Sequence, residues 1–235
     1  MTQKEQVIEV MKKNKGVATL GQLYQMLDFS TWKTKTPQAT VRQIVQINKE
    51  FFKIKPGVWG LAECENKVRK MLGIDVNNTF KNKSSQHDYY QGTIVTIGNI
   101  RDYKTFVPSQ DKNKLYLGKK IGDIVSLNTL GNFSYDNIVR KARTVDIIWI
   151  NERKMPNAFF EIENTTNFTD SLNKFYELQD FHAVFNIVAP KERKKEFDSK
   201  ISMSLYKDIE KRVNYLSYED IDKQFSYDKD KINIF

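Results

Sequence analysis

The 235-residue chain has one cysteine, Cys64, and only two histidines, His87 and His182. It cannot close an internal disulfide, and so few soft ligands exclude a Cys/His zinc cluster. No apolar run approaches the roughly 20 residues that cross a bilayer. The opening residues MTQKEQVIEV also lack the apolar stretch of a secretion signal, so a cytoplasmic protein without membrane contact is expected. Acidic side chains are in deficit, with 29 Asp and Glu against 38 Lys and Arg, a net charge of +9. Such a surplus points to a polyanionic partner. A hydrophobic content of 40%, with 12% aromatics, excludes a wholly disordered chain, and the length allows one large domain or two modest ones.

Thr2 followed by Glu5 is a capping box, and Val7, Ile8, Val10 and Met11 recur at helical spacing before the stop at Asn14-Lys15-Gly16. A second short helix fits Leu20–Leu27. A third opens at Thr36-Pro37, where proline suits the first helical position, and runs through Val41, Ile44, Val45 and Asn48. FFKIKPGVWGLAE then gives two β runs around the turn Lys55-Pro56-Gly57. Three helices and a ribbon predict a winged helix-turn-helix. Residues 1–60 hold ten basic and four acidic side chains, six of the total surplus of nine. In such a fold the third helix enters the major groove. Its polar face would offer Gln38, Thr40, Arg42, Gln43 and Gln46, with Lys33 and Lys35 before it and Lys53 and Lys55 in the wing. The alternative for each is the solvated side of a small bundle.

The segment WKTKTPQATVRQIVQINKEFFKIKPGVWGLAE resembles the second half of the HARE-HTH family of winged helices, in which a Thr-Pro opens the third helix and a Gly-x-Trp or Gly-x-Phe closes the wing. The resemblance covers residues 2–63 and implies DNA contact. Residues 64–86 lose periodicity after Ile74 and become rich in Asn, Lys and Ser, which predicts a helical extension and a flexible linker. A second domain is expected over 87–235.

There, YYQGTIVTIGNIRDYKTFVP suggests a helix and a short strand at Lys104–Val107, while KLYLGKKIGDIVSL is ambiguous. Val145–Ile150 and Ala158–Glu163 read as a hairpin across the polar turn Asn151–Asn157. Asp170-Ser171 is the expected cap of a helix carrying Leu172, Phe175 and Leu178. HAVFNIVAP reads as a buried strand opened by a core histidine, His182. A long basic helix, KERKKEFDSKISMSLYKDIEKR, and a last strand, VNYL, complete an α/β core with a mixed central sheet. Trp59 and Trp149 read as packing residues.

Three acids interrupt these apolar strands: Asp146, Glu161 and Glu163. Side chains alternate across a strand, so the two glutamates share a face about 6.6 Å apart at ~3.3 Å per residue, and Asp146 on the paired strand approaches Glu161 across ~4.8 Å. Clustered carboxylates call for a cation. A hard, oxygen-seeking ion such as Mg2+ suits them, with a main-chain carbonyl near Ile162 as a further ligand, and phosphodiester cleavage is the natural use of such a centre. The alternative is an edge strand with a solvated Glu-x-Glu and Asp146 paired to Arg143 or Arg153.

The order Asp-in-strand, turn, Glu-x-Glu, helix resembles the PD-(D/E)xK superfamily of nucleases, which includes most restriction endonucleases, over roughly residues 87–220. More locally, HDYYQG, VDIIWINERKMP, FEIENTTNFTDSLNKFYELQDF and NIVAP together resemble a restriction-endonuclease subfamily. The superfamily resemblance implies that Asp146 and Glu161 bind the metal and that Glu163 stands where lysine is usual. Either Glu163 is the base, or Lys174, one turn into the next helix, returns the missing cation. His87 or Gln91 would fit a polar side chain that faces the metal from the first helix of the core; a structural role is the alternative. Lys191, Arg193, Lys194 and Lys195 form a basic cluster at a helix start, suited to phosphate or simply solvated. The expectation is a Mg2+-dependent restriction-type endonuclease acting on double-stranded DNA. It would act as a homodimer, with a cognate methyltransferase as a separate chain. The alternatives are a DNA-binding regulator that has lost its chemistry and a modification-dependent nuclease.

Overall fold

The computed structural model describes residues 1–77, 80 and 83–231; positions 78–79 and 81–82 of the expected linker, and 232–235 of the expected second domain, lie outside the described residues. The chain divides into two compact units, Met1–Ser85 with the segment from Phe225 onward, and Gln86–Gln224.

The first unit contains α1 (Gln3–Lys13), β1 (Val17–Thr19), α2 (Leu20–Met26), α3 (Pro37–Ile47), β2 (Phe51–Lys55), β3 (Val58–Leu61) and α4 (Glu65–Leu72). The capping box of α1 forms as its sequence requires: Glu5 N donates to Thr2 Oγ1 at 3.2 Å and Thr2 N to the Glu5 carboxylate at 2.7 Å. A second box, Thr19 with Gln22, fixes the start of α2. The strands form an antiparallel sheet in the order β1-β3-β2. Gly57 (φ 72°) makes the β2–β3 turn in a left-handed conformation that favours glycine. Val7, Met11, Leu23, Val41, Val45 and Trp59 fill the core.

Unit two is an α/β structure drawn from α5 (Lys83–Ile100), β4 (Lys104–Phe106), β5 (Leu115–Tyr116), β6 (Lys119–Lys120), α6 (Asp136–Ala142), β7 (Ile147–Ile150), β8 (Pro156–Ile162), α7 (Phe168–Glu177), β9 (Val184–Ala189), α8 (Lys194–Ile201), β10 (Val213–Ser217) and the first turns of α9 (Tyr218–Lys231). Its five-stranded sheet runs β10-β9-β8-β7-β4. Pairings β4/β7 and β7/β8 are antiparallel, whereas β8/β9 and β9/β10 are parallel. The mixed sheet expected from the sequence is therefore present. Parallel neighbours need crossovers, which α7 and α8 supply. Ile148, Phe159, Phe185, Ile187, Phe168, Leu172 and Phe175 form the core beside them, and Trp149 and Trp59 are both buried.

Several details differ from the sequence reading. The ambiguous Lys114–Leu127 stretch carries near its start the small hairpin β5–β6, turned at Leu117 and Gly118, both at positive φ. The α7 cap is Asn167, whose Oδ1 accepts from Thr169 N at 3.1 Å. Starting the helix there carries Ser171 inward. The long basic helix breaks after Ile201 into short turns, because Tyr206 and Ile209 are drawn into the core and the Tyr206 hydroxyl bonds Asn173 at 2.8 Å. His182 is exposed, and β9 begins after it at Val184. Among the described residues no helix is long and apolar enough to cross a membrane.

Candidate active site

The β7–β8 hairpin is in register Ile147↔Phe160, and one further step sets Asp146, at the foot of β7, opposite Glu161. Three groups hold Asp146. Its Oδ2 accepts from Ile162 N at 2.8 Å and lies 3.3 Å from His87 Nε2, while its main-chain carbonyl accepts from Gln91 Nε2 at 3.0 Å. Burial pushes the Asp146 carboxyl up, but the hydrogen bond and charge of His87, with the Ile162 N–H, outweigh it and keep the group below its ordinary range. Burial works against the His87 imidazolium as well. Hydrogen bonds to Asp146 and Asp88 nonetheless lift His87 to about 9.

Glu161 is 3% exposed. Burial first, and then the charge of Asp146, push its carboxyl up to about 8 against the pull of Lys174. Lys174, in the last turn of α7, places Nζ 2.9 Å from each Glu161 oxygen and 3.0 Å from the Thr144 carbonyl. Burial disfavours its ammonium, yet Glu161 raises Lys174 above its ordinary value. Glu163 lies just beyond β8 and is also raised, chiefly by burial. The buried Ser171 hydroxyl reaches both glutamates, at 3.2 Å from Glu161 Oε2 and in a short hydrogen bond to Glu163 Oε1, and Thr166 donates to Glu163 Oε2. Glu161 and Glu163 therefore do share one face.

On the opposite flank α5 supplies His87, Asp88 and Gln91. Gln91 Nε2 also donates to Asp111 Oδ2 at 2.8 Å, and Lys114 Nζ lies 2.7 Å from Asp111 Oδ1 and 3.5 Å from Asp88 Oδ1. His87 Nδ1 is 3.7 Å from Asp88.

The three acids read from the sequence are thus brought together, and an ammonium stands beside them. The second-rank candidates His87 and Gln91 both touch Asp146. The Ile162 N–H is committed to the Asp146 carboxylate, and Ile162 is the last residue of β8. Among the described residues no group of three or more His, Cys, Asp or Glu side chains stands in an arrangement that holds a metal ion. In the basic cluster, Lys191 is exposed at the start of a short turn. Arg193 faces inward, donating to the carbonyls of Glu163 at 3.0 Å and Thr166 at 2.7 Å, with its guanidinium 4.1 Å from the Phe168 ring centre. Lys194 pairs with Asp198.

In the first unit, Gln43 and Gln46 are exposed on α3, and Gln38, Thr40 and Arg42 are half-buried. The Thr40 hydroxyl bonds the Thr36 carbonyl at 3.2 Å. Lys33, Lys35 and Lys53 are exposed, and Lys55 Nζ lies 5.2 Å from the Phe80 ring centre. Sequence reasoning missed Ser171, Thr166, Asp111 and Lys114 as members of the second unit's site. Ser171 could have been found, since it lies three residues from Lys174 and so on the same helix face. No local pattern marks Asp111.

A family model, the C-terminal domain of the type II restriction enzyme NmeDI, matches residues 69–235. The type II restriction enzyme NmeDI of Neisseria meningitidis serogroup C is 24% identical over 136 residues. That alignment covers 53% of this chain and 38% of the NmeDI enzyme, so the chain spans well under two thirds of that relative's length. No solved structure matches.

Proposed function

The chain belongs to the family defined by the C-terminal domain of the type II restriction enzyme NmeDI, and on that premise we propose that it is a restriction-type, site-specific endonuclease of PD-(D/E)xK kind that hydrolyses double-stranded DNA with Mg2+. The observation that carries this is the Asp146–Glu161 pair at the end of a mixed sheet, a half-buried carboxylate opposite a buried one that is pushed up by burial and by the charge of Asp146. The donor chemistry fits a hard divalent ion: both carboxylates and the Ile162 carbonyl offer oxygen, and Mg2+ takes few protein ligands while keeping several waters. When bound, the ion supplies positive charge to the scissile phosphoryl group and lowers the pKa of a water.

The protein groups then divide by protonation state. Lys174, raised by Glu161 against burial, remains an ammonium at neutral pH and acts as a fixed positive charge. Glu163, raised by burial, is better matched as a base and takes the proton of the attacking water. Asp146 stays ionised under His87.

Residues 1–63 act in this proposal as a HARE-HTH-like winged helix that sets α3 in the major groove, with Gln38, Thr40, Arg42, Gln43 and Gln46 toward bases and Lys33, Lys35, Lys53 and Lys55 toward phosphates. The order of three helices and a β-ribbon, and the concentration of positive charge, support it. Cutting both strands takes two centres, so a homodimer on DNA is proposed. A separate methyltransferase would protect the host's own sites.

One observation favours a second reading, DNA binding without cleavage: Lys174 Nζ already contacts both carboxyl oxygens of Glu161 that a metal would need. Incubating plasmid DNA, methylated and unmethylated, with the protein and Mg2+, Mn2+ or chelator separates the two. Divalent-dependent cutting, lost in Asp146→Ala with DNA binding retained, is expected. Binding with no cutting under any divalent ion overturns the nuclease and leaves the second reading.

A further inference from the structure

Gln91 lies in α5, is fully buried, and extends one amide nitrogen to two acceptors, Asp111 Oδ2 at 2.8 Å and the main-chain carbonyl of Asp146 at 3.0 Å. Both targets are oxygens that only accept, so the amide must present its N–H groups to them and the orientation is fixed by chemistry. Among the described residues Gln91 Oε1 is then a buried acceptor without a hydrogen-bond partner. Tolerating an unmet buried acceptor is unfavourable, so the two donated bonds have to offset it.

Asp146 itself stands one residue outside β7, beyond the last paired position of the ladder. Its carbonyl is therefore held by a side chain from another element. Asp111 is buried too, and it in turn is anchored by Lys114, 2.7 Å away, which also faces Asp88 at 3.5 Å. The chain of contacts runs Asp88, Lys114, Asp111, Gln91, Asp146, and ends on the amide of Ile162 that the Asp146 carboxylate accepts.

We propose that Gln91, backed by the buried Asp111 and its half-buried partner Lys114, is a positioning residue that fixes the main chain of Asp146 and thereby aims its carboxylate. This rests on Asp146 as the proposed catalytic acid only for its effect on cleavage; the geometric effect stands apart from it. The groups that face the cluster are His87 and Asp88 from α5, Asp111 and Lys114 from the segment after β4, and Asp146 from the foot of β7.

The test exchanges the two ends of one hydrogen bond. Gln91→Glu alone sets a carboxylate against Asp111 and against the Asp146 carbonyl. Combining Gln91→Glu with Asp111→Asn restores an N–H···O bond between positions 91 and 111, with the amide on the other side, but leaves the Asp146 carbonyl without its donor. Three readouts are followed: the melting temperature, hydrogen exchange at the Ile162 amide, and kcat against KM for DNA cutting. The expected result is a double variant that regains most of the melting temperature lost in Gln91→Glu while Ile162 exchanges about 10–100-fold faster than in the wild type, and kcat falls by a similar factor with KM unchanged. Recovery of all three in the double variant would show that Gln91 serves only the packing of Asp111 and would overturn the proposal. If the wild type cuts no DNA under any divalent ion, the nuclease reading fails while Ile162 exchange still decides whether Gln91 positions Asp146.

Discussion

Lys174 Nζ lies 2.9 Å from both carboxylate oxygens of Glu161, a two-point contact from the helix after the hairpin onto the end of β8. Removing the ammonium in Lys174→Met leaves a buried carboxylate without its partner. Breaking a buried pair costs about 3–5 kcal/mol if the surviving charge stays ionised. Glu161, already pushed up, takes a proton instead, so the stability loss is smaller and the functional loss larger. A fall in cleavage rate of about 100-fold or more, with DNA affinity within a few-fold of wild type, is expected from gel-shift and rate measurements.

Glu161 gives stability a particular pH dependence. Its folded-state value of about 8 lies above its ordinary 4.5, so the native state binds the proton more tightly. The resulting stabilisation is complete below about 4.5 and is lost as pH rises through about 8. His87, raised to about 9 from 6.5, likewise contributes below its ordinary value and loses its contribution as pH rises through about 9. Urea midpoints of wild type should drop more between pH 5 and 8.5 than those of Glu161→Gln. Equal slopes in the two proteins would contradict the burial-driven shift.

Ser171 holds two glutamates with one hydroxyl and has almost no exposure. Ser171→Ala removes the donor, and leaving buried carboxyl oxygens without it costs about 1–3 kcal/mol. Ser171→Thr keeps the hydroxyl and should recover most of the cleavage activity that Ser171→Ala loses, provided the added methyl is accommodated. Thermal melts alongside rates separate the two contributions.

Charge reversal on the first unit should act on binding alone. Arg42→Glu or Lys53→Glu is expected to weaken DNA affinity, and the slope of log affinity against log salt should flatten by about one for each phosphate that the protein no longer neutralises. The melting temperature of the second unit should not move. A salt slope unchanged by all such variants would remove this unit from the DNA interface.

Phe159 is fully buried and its ring lies 5.5 Å from that of Phe185, centre to centre. Phe159→Ala should cost about 3–5 kcal/mol through reduced burial and the cavity left behind. Denaturant unfolding measures it directly.

Elements whose code is local could be read in advance. Thr2 with Glu5 and Thr36-Pro37 marked the starts of α1 and α3, and the period-two logic of Glu161 and Glu163 put both acids on one face, where Ser171 meets them. Lys174 was within reach because a helix returns to the same face each turn. What escaped depends on distant partners. Asn167 rather than Asp170 caps α7, since Phe168 and Ser171 are both drawn into buried positions. Asp111 joins the site through a glutamine 20 residues away. β1 has only three residues, too few to show a period, and is a strand because β3 offers it an edge. The basic run after Pro190 looked like one helix, but Tyr206 is stabilised more by the core than by helical continuity.

Strand β8 is antiparallel to one neighbour and parallel to the other. Main-chain pairing on both sides is indifferent to which residues carry it, whereas the acids are not. Losing a single residue between Pro156 and Glu163 would turn every following side chain over, so circular dichroism would report a sound sheet in a protein whose carboxylates had changed sides. Divergence among relatives should therefore gather length changes at the Asn151–Met155 bend and spare the seven residues that follow it.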